Sequence, residues 1–364
     1  MALSFTSLSQ LLDHGFDTVI DVRSPAEFAE DRIPGAINLP VLDNEERARV
    51  GTIYKQQSPF LARKLGAALV FRNAANHVEK SLSHHEGGWR PLVYCWRGGQ
   101  RSGSFAWMLG QIGWRSEAIE GGYRTYRRLV NAMLYDGTLP HRFVALDGYT
   151  GTAKTEILKL AATRGVQVLD LEGCAEHRGS LLGAMGEEQP SQKAFESRVA
   201  GVLCGLDPSR PVLVEAESSK IGERILPPAV WEALKAAPRI AVEAPVAART
   251  SYLVRAYDDI LSDGAQMEHK LSFLRAHRGH AVVDGWNALI AAGDKPGLTR
   301  ALMEQHYDPS YDKSRRLHGG DPAERIVLPD LMPAQLDAAA GKVAALLEGR
   351  FAALPGEGMQ GAAG

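Results

Sequence analysis

The sequence predicts an α/β protein: two parallel-sheet units in succession, then a helical C-terminal segment. Three observations predict it. Short β-branched runs alternate with turn and helix-start signals in the first third, the same pattern restarts after the turn-rich connector 136–140, and from about residue 245 helical segments with loops take over. A length of 364 residues fits such a division better than one small core. The expected ranges are 1–138, 139–244 and 245–350, with a Gly/Ala-rich tail at 351–364.

In the first unit, Asp17-Thr18-Val19-Ile20-Asp21-Val22 is a buried-strand candidate. Ser24-Pro25-Ala26-Glu27-Phe28 follows, with a cap residue, proline at the first helical position and a carboxylate at the positive helix end. Residues 33–40 read as a turn entering a strand, 91–94 as a further strand, and 102–112 as a helix behind a glycine-rich loop. In the second unit, strands are expected at 142–146, 166–171, 211–214 and 239–242, with a helix at 154–162. Later helices are expected at 267–278 and 332–347.

The 41 Lys and Arg nearly balance 43 Asp and Glu, so a nucleic-acid partner requires a local basic face rather than overall charge. Residues 89–128 supply one candidate, with seven arginines against two acids and Trp96, Tyr123 and Tyr126 interleaved. Arg249, Arg255, Arg275, Arg278, Arg315 and Arg316 supply a second. Three dispersed cysteines, Cys95, Cys174 and Cys204, argue against a disulfide framework and a cysteine-rich zinc site; no resident metal is expected. The N-terminus lacks a secretory pattern and no apolar run is long enough to span a bilayer, so a cytoplasmic protein is expected. Oligomeric state has no sequence signal.

Two loops carry chemistry. Cys95-Trp96-Arg97-Gly98-Gly99-Gln100-Arg101-Ser102 follows an apolar strand and opens a helix, where amides, the helix N-terminus, Arg97 and Arg101 are expected to hold a thiolate near neutral pH. Such a thiol accepts sulfur or selenium, or attacks phosphorus. The C-x5-R spacing is also that of a phosphatase loop, which needs a general acid elsewhere. The plain alternative is a small buried residue at a strand end.

Gly148-Tyr149-Thr150-Gly151-Thr152-Ala153-Lys154-Thr155 stands where a P-loop stands, between an apolar strand and a helix. Gly148, Thr150, Gly151 and Thr152 form the phosphate cradle, Lys154 reaches the terminal phosphate, and Thr155 can ligate Mg2+. Ala153 replaces the second glycine of the pattern, which is tolerable on helical backbone and costly at positive φ. Phosphate binding is therefore the expectation, with ATP use left open. For the acidic partner, Glu215 and Glu217 alternate along a strand so that at most one faces the loop, and Asp170 competes.

Asp21-Val22-Arg23-Ser24-Pro25-Ala26-Glu27-Phe28 with Ile33-Pro34-Gly35-Ala36-Ile37-Asn38 resembles the opening signature of rhodanese-fold sulfurtransferases, and Cys95 falls where they carry persulfide. Arg32 departs from the histidine many of them have. Together with the P-loop, Leu171-Glu172-Gly173-Cys174-Ala175-Glu176-His177-Arg178-Gly179-Ser180 and Glu215-Ala216-Glu217-Ser218-Ser219-Lys220-Ile221-Gly222, the first loop makes the chain similar to tRNA 2-selenouridine synthases over most of residues 1 to about 320. The resemblance implies a rhodanese-like domain plus a P-loop NTPase-like parallel-sheet domain with a helical C-terminal segment. It implies a transferase acting on tRNA with 2-thiouridine at the wobble position: geranyl diphosphate alkylates the sulfur, and selenium from selenophosphate then displaces the geranylthio group.

On that resemblance Cys95 carries selenium as a perselenide, assisted by Arg97 and Arg101. Lys154, Thr155 and the loop amides hold the diphosphate, His177 and Arg178 complete a phosphate site, and Arg124, Arg127, Arg128, Tyr123 and Tyr126 contact RNA. The geranyl chain needs an apolar groove, which the sequence does not locate; the helical segment after Pro245 is a candidate. The alternatives are a P-loop kinase or ATPase with a regulatory rhodanese module, and a non-catalytic tRNA-binding or sulfur-carrier adaptor.

Overall fold

A computed structural model describes residues 2–178, 188–318 and 321–352, with the backbone alone at 314–318. Gly179, Ser180, the side chains of Arg315 and Arg316, and the tail from 353 lie outside the described residues. The chain divides into two compact units: Met1–Gly137 with Pro190–Gly205, and Thr138–Gln189 with Leu206–Gly364.

In the first unit β1 (Ala2–Leu3), β2 (Thr18–Asp21), β3 (Ile37–Asn38), β4 (Pro91–Tyr94) and β5 (Glu117–Ile119) form one parallel sheet in the order β1-β5-β4-β2-β3. All four residues of β4 are buried, as a central strand covered on both faces requires. The turn after β2 holds through local chemistry: Ser24 and Glu27 form a reciprocal capping box around Pro25 at the start of the helix Pro25–Glu30. Helices Asn44–Gln56, Pro59–Lys80 and Gln100–Ile112 add to the same unit. Leu69, Val70, Phe105 and Leu109 from the last two join Ile20 and Val93 in its core.

The helix Gln192–Cys204 corrects the expected boundaries. It falls within 139–244 but packs with the first unit, against helices Leu8–Leu12 and Gly122–Tyr135. Phe195, Val199 and Leu203 recur at helical spacing and are fully buried, each contributing roughly 1.5–3 kcal/mol. A carboxylate tightens the contact: Glu196 accepts from Arg127 and from the Tyr135 hydroxyl at 2.7 Å.

In the second unit β6 (Arg142–Asp147), β7 (Gln167–Leu169), β8 (Pro211–Glu215), the hairpin β9 (Lys220–Ile221) and β10 (Arg224–Ile225), β11 (Arg239–Glu243) and β12 (Glu324–Val327) follow in sequence. The five-stranded parallel sheet has the order β12-β11-β6-β8-β7. The segment 245–350 is therefore more than a helical appendage, a second correction. It supplies edge strand β12 and the helix Pro333–Glu348, whose Leu336, Ala340 and Val343 enter the sheet core with Ile157 and Leu158 of the helix Lys154–Ala162. Between these lies a helical cluster around Ile260, Met267, Leu271, Val283, Trp286 and Leu302.

Candidate functional sites

Cys95 sits at the C-terminal end of central strand β4, where open parallel sheets place ligand sites. It is buried, and the Ser102 hydroxyl donates to its Sγ at 3.3 Å. Gly99, at φ 72°, caps the helix Gln100–Ile112 in left-handed backbone, so the chain curls from strand into helix within five residues. The carbonyls below the curl are taken: Tyr123 N–H donates to Cys95 O at 2.8 Å and Arg124 N–H to Trp96 O at 3.1 Å. That approach demands glycine at 122, where φ is 56° and a Cβ would strike the Cys95 carbonyl.

Under the loop lies a buried polar tie. Arg23 is fully buried, forks onto Asp21 at 2.7–3.1 Å and donates to Asp31 O at 2.6 Å. The same guanidinium lies over the Tyr123 ring at 3.9 Å, and the Tyr123 hydroxyl donates to Asp31 at 2.7 Å. Burial raises the Asp31 carboxyl even with Tyr123 donating to it. Arg101 reaches Glu27 at 3.4 Å, and Glu27 sits below its ordinary range because Arg101, the Ser24 amide and Arg47 together outweigh its burial. Arg97 lies exposed on the loop.

Two expectations for RNA contact are corrected here. Tyr123 and Tyr126 are 3% and 1% exposed, packed in the core of the first unit, and offer no ring face for a base to stack on. Arg127 is committed to Glu196, Asp31, Ser197 and Asn131. Arg124 and Arg128 are exposed. In the second candidate face, Arg249 is buried and forks onto Asp308 at 2.8 and 3.0 Å, while Arg278 donates to His306 and Ser310.

The second loop follows β6, again the central strand of its sheet. Gly148, at φ 155°, leaves no room for a side chain: a Cβ would stand 2.6 Å from both Val242 O and Thr152 Oγ1. Thr152 closes the turn by donating from its amide and hydroxyl to Tyr149 O, at 3.2 and 2.9 Å. Ala153 has φ 59°, ψ 32°, so the position that usually holds glycine keeps left-handed backbone with a β-carbon, a strain of roughly 1–2 kcal/mol. Its methyl is buried in the sheet core, which offsets part of that cost. Lys154 Nζ donates to Gly148 O at 2.9 Å, and Thr155 Oγ1 to Glu172 Oε2 at 2.7 Å.

Residues distant in sequence brace this loop. Arg249 donates to Thr150 O at 3.1 Å, Tyr149 donates to Asp312 at 2.7 Å, and the Gly148 amide donates to the Tyr311 hydroxyl at 3.1 Å.

The acid at the loop is Glu172, which has no strand-end signal in the sequence because it lies on the short helix Leu171–Ala175. Asp170 caps that helix, accepting from Gly173 N–H at 2.6 Å. Glu215 is fully buried and accepts from Leu171 N–H at 3.2 Å, whereas Glu217 lines the cleft beside Lys154, so one of the alternating pair faces the loop. Burial raises Glu172 against the pull of Thr155 and Lys154. Burial and then the neighbouring acids raise Glu215 strongly; burial and Glu172 push Glu217 up to about 7.

The cleft measures about 590 Å³, and residues 150–155, Glu172, Arg178 and Glu217 line it together with Trp231, Tyr252 and Tyr257. His177, expected beside Arg178 at the phosphate site, sits instead by Gly222. The arrangement suits a polyanion: the first-turn amides of the helix Lys154–Ala162 lack intrahelical acceptors, and Lys154, Lys159 and Arg178 add positive charge. Among the described residues no three His, Cys, Asp or Glu side chains form a ready-made metal site. Mg2+ needs less, since one or two protein oxygens and the ligand's phosphates suffice, and Thr155 with Glu172 fits that pattern.

Comparison with known proteins covers both units. Residues 4–129 match the family described as Rhodanese-like domain, and 141–280 the family described as tRNA 2-selenouridine synthase AAA domain. Three relatives carry the name tRNA 2-selenouridine synthase. The protein from Nitrosomonas europaea is 37% identical over 66% of this chain and 63% of its own length. The Cupriavidus pinatubonensis protein is 34% identical over 79% of both chains. The Hahella chejuensis protein is 31% identical over 80% of this chain and 84% of its own.

Proposed function

The chain belongs to the tRNA 2-selenouridine synthase family, and from that premise we propose that it converts the 2-thiouridine at the wobble position of tRNA to 2-selenouridine, with geranyl diphosphate and selenophosphate as co-substrates. The observation that carries the reading is the pairing of two loops on one chain. One presents a thiol beside a hydroxyl donor, the other a polyanion cleft with a lysine and a threonine–carboxylate pair.

In the first step the thiocarbonyl sulfur attacks C1 of geranyl diphosphate, a C–S bond forms, the C–O bond breaks with its electron pair leaving on diphosphate, and the base gives up its N3 proton to solvent. Lys154, Arg178 and the helix amides neutralise that leaving charge. Lys154 exchanges the Gly148 carbonyl for a phosphate oxygen. Mg2+, held by Thr155 and Glu172, would supply further neutralisation when bound.

In the second step selenide adds to C2 of the S-geranyl base, and the C–S bond breaks to release geranylthiol after protonation. A perselenide on Cys95 formed from selenophosphate has either to expel phosphite or to lose two electrons to an oxidant. Attack by Cys95 on phosphorus needs neither: the S–P bond forms, the P–Se bond breaks with its pair on selenium, and water later hydrolyses the thiophosphate. Selenophosphate carrying its proton on selenium releases HSe−, a weak base that leaves without a general acid. Ser102, donating to Sγ, stabilises the thiolate before attack and as leaving group afterwards.

tRNA contact falls to Arg97, Arg124 and Arg128, the exposed arginines of the basic stretch around Cys95. The test supplies 2-thiouridine tRNA and geranyl diphosphate, then selenophosphate, and identifies nucleosides by mass spectrometry. S-geranyl-2-thiouridine followed by 2-selenouridine is expected. Phosphate release from ATP without either product would transfer the protein to the P-loop kinase or ATPase class.

A further inference from the structure

The phosphate cleft does not end at its polar wall. Thr150, Leu253, Tyr257 and Tyr307 are shared with a second, almost wholly apolar pocket that continues behind the loop to Leu261, Leu302 and Met303. The pocket is small, about 40 Å³, room for the end of a chain rather than the whole of one. Leu302 and Met303, 4% and 0% exposed, belong to the packed interior and form its inner wall. A cationic cleft that shares four wall residues with a small apolar pocket fits a ligand with a polyanionic head and a hydrocarbon tail of limited length.

We propose that this pocket takes the far end of the hydrocarbon chain of the diphosphate co-substrate, and that Leu261, Leu302 and Met303 set the longest chain the enzyme accepts. The inference rests on the reading of the cleft as a diphosphate site. The head lies at Lys154 and Thr155, the chain runs along Leu253 and Tyr257, and its last carbons enter the pocket. A chain that stops short leaves the pocket unfilled; one that is too long meets the floor. Each methylene moved from water into such a site is worth about fourfold in affinity.

Calorimetric binding to the full chain, with inorganic, dimethylallyl, geranyl and farnesyl diphosphates, tests it. Affinity is expected to rise at least about tenfold from dimethylallyl to geranyl and to fall for farnesyl diphosphate. Leu261→Trp, at a half-buried wall position, fills the pocket and lowers geranyl diphosphate affinity about tenfold or more, while inorganic diphosphate binds as before and so reports an intact fold. Leu261→Ala shifts the preference toward farnesyl diphosphate. Affinity independent of chain length, or unchanged geranyl diphosphate binding in both variants, overturns the pocket assignment and leaves the diphosphate site standing. Inorganic diphosphate that fails to bind, or binds equally to Lys154→Ala, overturns the diphosphate site and the pocket with it.

Discussion

The Cys95 and Lys154 loops share a plan and differ in what surrounds it. Each leaves the C-terminal end of the central strand of a five-stranded parallel sheet, and each enters a helix through a left-handed cap, Gly99 at φ 72° and Ala153 at φ 59°. The first is gripped from below by buried polar groups, Arg23 on Asp21 and Tyr123 on Asp31, and its reactive atom has one hydroxyl neighbour. The second faces a cleft with several cations, three nearby carboxylates and an apolar annexe. A strand-to-helix turn thus supplies only a place where amides converge; a rigid floor suits it to one reactive side chain, and an open wall suits it to a large anion.

Separate chemistry at the two loops gives the largest expected effect. Cys95→Ser should lower 2-selenouridine formation by about 1000-fold or more while S-geranylation stays within about twofold, because only the nucleophile is removed. Lys154→Ala should lower geranylation about 100-fold and leave selenation of pre-geranylated tRNA intact. Rate assays of the two half-reactions decide, and equal loss of both in either variant would mean that the loops act on one step.

The backbone at the two loops should respond in opposite senses. Gly122→Ala drives a β-carbon into the Cys95 carbonyl at positive φ and should cost about 2–4 kcal/mol of the first unit's stability. Ala153→Gly relieves strain and loses a buried methyl, so the second unit should stay within about 1 kcal/mol of the parent. Chemical denaturation of both proteins measures the difference, and a harmless Gly122→Ala would remove the rigid floor from the comparison.

Glu172→Gln keeps an acceptor for Thr155 but removes the charge beside it, so geranylation should fall about tenfold and lose its response to added Mg2+. An unchanged Mg2+ titration would assign the ion to other groups.

The smallest effect is in pH. Glu217 holds its proton up to about 7 in the folded protein against an ordinary value of 4.5, so the native state binds the proton more tightly than the unfolded chain. Stability from this group is full below the unfolded value and is lost as pH rises through 4.5 to 7. Glu217→Gln should therefore raise the melting temperature at pH 8 by about 2 °C or more relative to the parent and have little effect at pH 4.5. An equal shift at both pH values would show that burial and Glu172 do not hold the proton on this carboxyl.

Much of the scaffold was legible because its signals are local. Strands at 18–21, 91–94, 142–147 and 211–215 are short apolar runs, and Ser24-Pro25 and Lys154-Thr155 mark helix starts by cap and loop chemistry. The edge strands β1 and β12 and the inner strand β5 are two to four residues long and pair only because the rest of the sheet is already there. The helix Gln192–Cys204 has an apolar face that any core would accept, so its spacing gives no address.

By itself the sequence determined the α/β class, the position of both loops, Cys95 as nucleophile candidate and Lys154 with Thr155 as anion-site candidates, since each depends on residue type and spacing along a few adjacent positions. Tertiary structure decided the rest. It put Tyr123 and Tyr126 inside, chose Glu172 over Asp170 and Glu215 at the loop, braced that loop with Arg249, and opened an apolar pocket behind it. The physical reason is range: capping and loop curl are settled between neighbours in the chain, whereas burial, charge pairing and cavities arise only when distant segments compete for the same space.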